Sequence, residues 1–192
     1  FKEAGEAEGA TIDVVYPEEA TADAQIKVLD NLISQQPDAI CISANDFNAL
    51  QAKLEEAMDA GIKVSSFDSA PNPASRQVFV NQAGTMAVGQ ALIDAVYDLA
   101  GGEGQWAILS ATSQATNQNA WIDAMKALMA ADEKYAKLEL VEVAYGDDQP
   151  QKSTDQTQAL LDNYPDLKVI CAPTTVGVMA AAKLLQDTEG CK

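Results

Sequence analysis

The sequence predicts an α/β fold of two lobes, each built on a doubly wound parallel sheet. Three observations carry that prediction. Apolar strand-like runs alternate with helical patterns along almost the whole chain. Several of the runs are continuously apolar rather than alternating. A helix–Pro-Asp–strand unit also occurs twice: VLDNLISQQPDAICISAND resembles ALLDNYPDLKVICAPTTV, and the two flank a Gly-Gly-Glu-Gly break at residues 101–104. Strands alternating with helices of about 12–16 residues mark βαβ units. Continuous apolar strands suit a sheet covered by helices on both faces. The break then divides the chain into an N-terminal lobe, 1–101, and a C-terminal lobe, 102–192.

Taken in order, a helical pattern running to Gly9 leads into an apolar run at 11–16, expected as a strand. Residues 21–36 are helical, because Ile26, Leu29 and Ile33 share one face. The run PDAICIS is a strand, and 45–60 a helix with Asn45 or Asp46 as its cap. Strands at 62–67 and 77–81 precede a helix at 85–99. After the glycines the series resumes with strands at 105–110, 138–145 and 167–171, alternating with helices at 117–130, 151–163 and 176–186.

Composition removes several classes of function. The formal net charge is −17, from 29 acidic and 12 basic residues, and Arg76 is the only arginine. That balance repels phosphate backbones and anionic lipid, so nucleic acid is not an expected partner. The sequence has no histidine, hence neither the commonest general base nor the commonest zinc ligand, and no metal site is expected. The sequence contains no GxSxG, GxxxxGK[ST] or early GxGxxG motif. Glu18–Glu19 and Asp147–Asp148 are paired only in sequence, which is weak support for acid–base work, and Asp147–Asp148 fits a solvated turn. Cys41 and Cys171 lie in apolar runs and read as small buried hydrophobes; Cys191 sits in a polar tail. No apolar run approaches the roughly 18 residues of a membrane span.

Right-handed crossovers place all strand C-termini on one side of a parallel sheet, and open α/β sheets bind ligands outside those ends. The tips here are Asn45 and Asp46; Asp68 and Ser69; Asn81 and Gln82; Ser110 and Thr112, followed by Asn117, Gln118 and Asn119; Asp147 and Asp148; and Pro173, Thr174 and Thr175. Aspartate accepts hydroxyl hydrogens, while Asn and Gln both donate and accept, which suits an uncharged polyol. The same residue types serve as helix N-caps at strand-to-helix junctions. Asp68 is the exception, since Pro71 and Pro73 follow it and no helix opens there. Phe47 and Trp121 read as either packing or stacking residues.

The segments DAICISANDFNALQAKLEEAMDAGIKVSSFDSA, QVFVNQA, GGEGQWAILSATSQATNQNAWIDAMK, YGDDQPQKS and LLDNYPDLKVICAPTTVGVMAAAK, in this order, resemble the type I periplasmic sugar-binding proteins. They are most similar to the rhamnose-type receptors of ABC importers, whose relatives include receptors of a furanosyl quorum-sensing signal. The resemblance implies two α/β lobes that close on a sugar by a hinge motion. It also implies a membrane permease as partner, a monomer, no cofactor and no catalysis, in the periplasm or on an extracytoplasmic lipid anchor. On the matching motifs it implies ligand contacts from Asp68 of FDSA, from Asn117 and Gln118 of TNQNAW, and from Pro173, Thr174 and Thr175 of the APTT loop; the tip residue Asn45 joins them. The quorum-signal receptors carry an aspartate where Asn117 stands, which tilts the expectation toward a neutral, rhamnose-like deoxyhexose or a pentose. The resemblance further implies a first strand before Phe1 and more of the second lobe after Lys192. The expectation is therefore an internal fragment whose first lobe lacks its first strand and whose second lobe is incomplete. The alternatives are the sensing domain of a sugar-responsive transcription regulator, which the missing basic helix disfavours, and a quorum-signal receptor.

Overall fold

The computed structural model describes residues 1–188. The elements run α1 (Lys2–Ala7), α2 (Ala22–Gln35), β1 (Ala39–Ile42), α3 (Gln51–Asp59), β2 (Lys63–Phe67), β3 (Val78–Val80), α4 (Thr85–Ala100), β4 (Gly104–Ser110), α5 (Thr116–Ala131), β5 (Leu138–Tyr145), α6 (Pro150–Asn163), β6 (Leu167–Cys171) and α7 (Thr175–Asp187). Short 3-10 turns at Pro73–Ser75 and Glu133–Tyr135 lie between them. The strands form two parallel sheets, ordered β1-β2-β3 and β5-β4-β6.

The second sheet is wound on both faces, and its central strand shows why. All of Trp106–Ser110 is buried. Trp106 and Ile108 point into a core with Ile93 and Val96 of α4 and Ile122 and Met125 of α5. Ala107 and Leu109 point the opposite way, onto Leu160 of α6 and Ala181 of α7. A strand buried on both sides must be apolar at every position, and WAIL is. Burial of each such large side chain contributes roughly 1.5–3 kcal/mol.

The first sheet is covered differently. Ile40 and Val64 bury against Leu29 of α2 and Leu54 and Ala57 of α3. The other face has only a partial cover: Phe67 meets the Phe1 ring at 4.9 Å between centroids, while Val78 and Val80 are exposed. Double winding is thus a property of the second sheet. Cys41 is exposed for the same reason, not buried as its apolar neighbours suggest, whereas Cys171 is buried. Cys191 lies outside the described residues.

Both sheets are formed, which overturns the expectation of a first lobe deprived of its first strand and of an incomplete second lobe. β2 is the inner strand of the first sheet, paired from Ala39–Lys63 to Ile42–Ser66 on one side and from Ser65–Val78 to Phe67–Val80 on the other. β4 is the inner strand of the second, paired along its whole length with β5 and also with β6. The run at 11–16 joins neither sheet, and Val14, Val15 and Tyr16 are exposed. Its half-buried Ile12 is taken by α1 instead, packing so tightly over Gly5 that a Cβ there would stand 2.5 Å from Ile12 Cδ1.

Two boundaries also differ from the sequence reading. The expected helix at 45–60 starts at Gln51, because the Asp46 carboxylate accepts the Asn48 and Ala49 amides at 2.7 Å and holds a turn there. Helix α4 precedes the glycine break yet buries Ile93, Val96 and Ala100 in the core of the second sheet. The break itself is a turn: the α4 cap Gly101 takes φ 71°, and the Lys168 side chain lies across Gly104, donating to the carbonyls of Ala100 (3.3 Å) and Glu103 (2.8 Å).

Candidate functional site

The C-terminal ends of β1 and β2 face those of β4 and β5 across a cleft with two adjoining cavities. The inner, about 100 Å³, is lined by Ser43, Asn45, Asp68 and Ser69 from the first sheet's tips and by Thr112, Asn117, Gln118 and Asp148 from the second. The outer, about 290 Å³, is lined by Glu19, Thr21 and Asn45 on one side and by Gln114, Asp147 and Gln149 on the other.

Asp68 lies at the centre of the polar network. It follows β2 with φ 56°, a left-handed conformation that aspartate tolerates better than most side chains. Its Oδ2 accepts the Ser43 hydroxyl at 2.9 Å, and its Oδ1 accepts the amides of Gln82 at 2.8 Å and Asn117 at 3.2 Å. The last of these joins the tip of one sheet to the helix that follows the other. Gln118 is held by its carbonyl, which accepts the Ser110 hydroxyl at 2.8 Å and the Ala111 amide at 2.9 Å. Those two donors fix the side-chain orientation and leave its NH₂ as the group turned to new partners. Asn45 borders both cavities, and its backbone amide donates to Gln25 Oε1 at 2.8 Å.

The remaining expected residues are more peripheral. Thr174 caps the start of α7 and donates its hydroxyl to Asp148 Oδ1, so it touches the cleft only through that carboxylate. Pro173, Thr175, Phe47 and Trp121 line neither cavity.

One contributing residue escapes a reading of strand tips, and two tip residues read as a solvated turn also border the cleft. Gln25 of α2 is buried and acts as a clamp: its amide donates to the Ser43 carbonyl at 2.7 Å while its carbonyl accepts the Asn45 amide. It thereby fixes the segment from which Ser43 reaches Asp68. Asp147 and Asp148 form a turn, both at φ 52°, and the turn borders the cleft; their position after a strand was the available signal.

The electrostatics disfavour an anionic ligand. Glu19, Asp68, Asp147 and Asp148 border the cavities, and among the described residues no lysine or arginine does. Lys152 pairs with Asp147 from outside. Anions are repelled from such a cleft, whereas neutral hydroxyls find acceptors and amide donors together. Among the described residues no cluster of ligating side chains is arranged to hold a metal ion.

Two α/β lobes facing each other over a polar cleft define the class of two-lobed solute receptors. The chain belongs to the periplasmic binding protein domain family, whose model matches residues 1–190. It is 28% identical over 166 residues to the D-ribose/D-allose-binding protein of Pseudomonas aeruginosa, covering 81% of this chain and 49% of that protein. Among solved structures it is similar to an ABC transporter solute-binding protein from Clostridium phytofermentas with bound L-rhamnose, at 57% identity and a TM-score of 0.95, over 97% of this chain and 58% of the other. A sugar ABC transporter protein from Actinomyces odontolyticus matches at 39% identity and a TM-score of 0.66, over 98% and 61%. The chain thus spans about half to three-fifths of the length of these relatives.

Proposed function

We propose that the chain serves as the solute-binding component of a sugar ABC transporter, capturing a small neutral sugar of rhamnose type between two lobes and presenting it to a membrane permease from the periplasmic side. The observation that carries this reading is the Asp68 carboxylate, set in an inter-lobe cavity among amides and hydroxyls with no lysine or arginine among the described residues that line it. Asp68, Asn117 and Gln118 anchor the sugar hydroxyls, Asn45 borders them, and the 173–175 loop supports the far wall through Thr174 and Asp148. Asn117, neutral where the quorum-signal receptors carry an aspartate, favours a neutral deoxyhexose or pentose. The similarity to a protein solved with L-rhamnose supports the same choice. The lobes we assign are 1–101 and 102–192, with α4 belonging to the first by sequence and to the second by packing. The protein acts as a monomer and binds without transforming its ligand.

Calorimetric titration with L-rhamnose and with D-ribose tests this. Saturable rhamnose binding that is tighter than ribose binding, and lost in Asp68→Asn, is the expected result. Binding of neither sugar overturns the assignment.

A further inference from the structure

We infer that Ser69 is a second hydroxyl-reading residue of the cleft, one that sets which sugars are accepted; this rests on the sugar-receptor reading above. Ser69 is only 5% exposed, and it lines the inner cavity beside Asp68, Asn117 and Gln118. Its backbone is fixed, since its carbonyl accepts the Ala44 amide at 2.9 Å across the tips of β1 and β2. Its hydroxyl, by contrast, has no hydrogen-bond partner among the described residues. A buried hydroxyl without a partner is costly, and a group that satisfies it only when ligand is present turns that cost into binding selectivity.

The chemistry of the pair is complementary. Asp68 as a carboxylate only accepts, while a serine hydroxyl both donates and accepts. Neighbours in sequence at one strand tip, they read two hydroxyls of one ring: the first must donate to Asp68, and the second may take either role with Ser69. A sugar lacking that second hydroxyl leaves the serine unsatisfied and is rejected, as sites built to bond a hydroxyl reject deoxy analogues. Ser66 supplies the contrast. It too is buried with an unpartnered hydroxyl, but it borders neither cavity.

The test is calorimetry on the full chain, Ser69→Ala and Ser66→Ala, with L-rhamnose, D-ribose, D-arabinose and the monodeoxy derivatives of whichever sugar binds best. We expect Ser69→Ala to weaken the best sugar about three- to tenfold with a melting temperature equal to or above that of wild type, and Ser66→Ala to leave affinity as it was. One monodeoxy derivative should bind wild type and Ser69→Ala equally, because the deleted hydroxyl is the one Ser69 reads. Unchanged affinity in Ser69→Ala, or a loss of the same size for every derivative, overturns the proposal; if Asp68→Asn still abolishes binding in that case, the receptor reading survives. A wild-type protein that binds none of the three sugars overturns both.

Discussion

Asp68 occupies a left-handed backbone position and carries three side-chain hydrogen bonds. These two facts decide how it is best probed. An alanine there meets a steric cost of roughly 1–2 kcal/mol that has nothing to do with ligand, whereas asparagine tolerates the conformation. Asp68→Asn should therefore fold normally and lose at least tenfold in sugar affinity, measured by titration. At Gln118 the informative change is to glutamate. The carboxylate keeps an acceptor for Ser110 and Ala111 but presents no NH₂ to the cavity, so a wild-type melting temperature with weakened sugar binding is expected. The cysteines offer a check independent of ligand. Burial pushes the Cys171 thiol up to about 11, and Cys41 is exposed. Mass spectrometry after alkylation at pH 8 should find Cys41 modified and Cys171 protected until the protein is unfolded.

At the scale of elements, helix α4 is held by a close approach to the backbone of α5. A Cβ at Gly89 would stand 2.6 Å from Ala124 Cβ and 3.2 Å from the Met125 amide nitrogen, so α4 and α5 cross there in near backbone contact. Replacing a helical glycine by alanine ordinarily gains up to about 1 kcal/mol, while overpacking costs typically 1–3 kcal/mol. Gly89→Ala should thus lower the melting temperature. Farther along α4, Asp94 accepts hydrogen bonds from Lys134, Tyr135 and Gln90. The Lys134 ammonium first, then the Tyr135 hydroxyl and the Gln90 amide, hold its carboxyl down at about 2, below the ordinary 3.8. A group whose folded value is depressed stabilises the protein above its unfolded value, and that contribution is lost as pH falls through the folded one. Wild type should therefore lose melting temperature between about pH 4 and 2 more steeply than Asp94→Asn. The sequence displayed the strands and helices because each has its own period and apolar composition. It did not display α4's allegiance, since a helix with an apolar face is silent about which of two sheets will cover that face. Nor did it show that 11–16 stays outside the sheets: its residues have strand character, but a strand is defined by a partner ladder.

At the scale of the molecule, the position of the cleft was legible because strand polarity forces the tips together, and the tip residues Asp68, Asn117, Gln118 and Asn45 line its inner cavity while Pro173 and Thr175 do not. Gln25 was not named and Ser69 was only one tip among many, because their roles lie in a backbone clamp and in a missing partner, neither of which has a sequence signature. The chain's joint between sheets also takes its meaning from the fold. With α4 packed on the second core, the passage from the first sheet's last strand to the second lobe's first packed helix is residues 81–84, and Gln82 in that passage donates to Asp68. A carboxylate offers about four lone-pair positions, and three are already engaged: by Ser43 from its own lobe, by Gln82 from the joint and by Asn117 from the opposite lobe. On the proposed function, a sugar hydroxyl arriving at Asp68 takes the fourth or displaces one of these. On that reading, ligand and the contacts that tie the lobes together draw on the lone pairs of a single side chain.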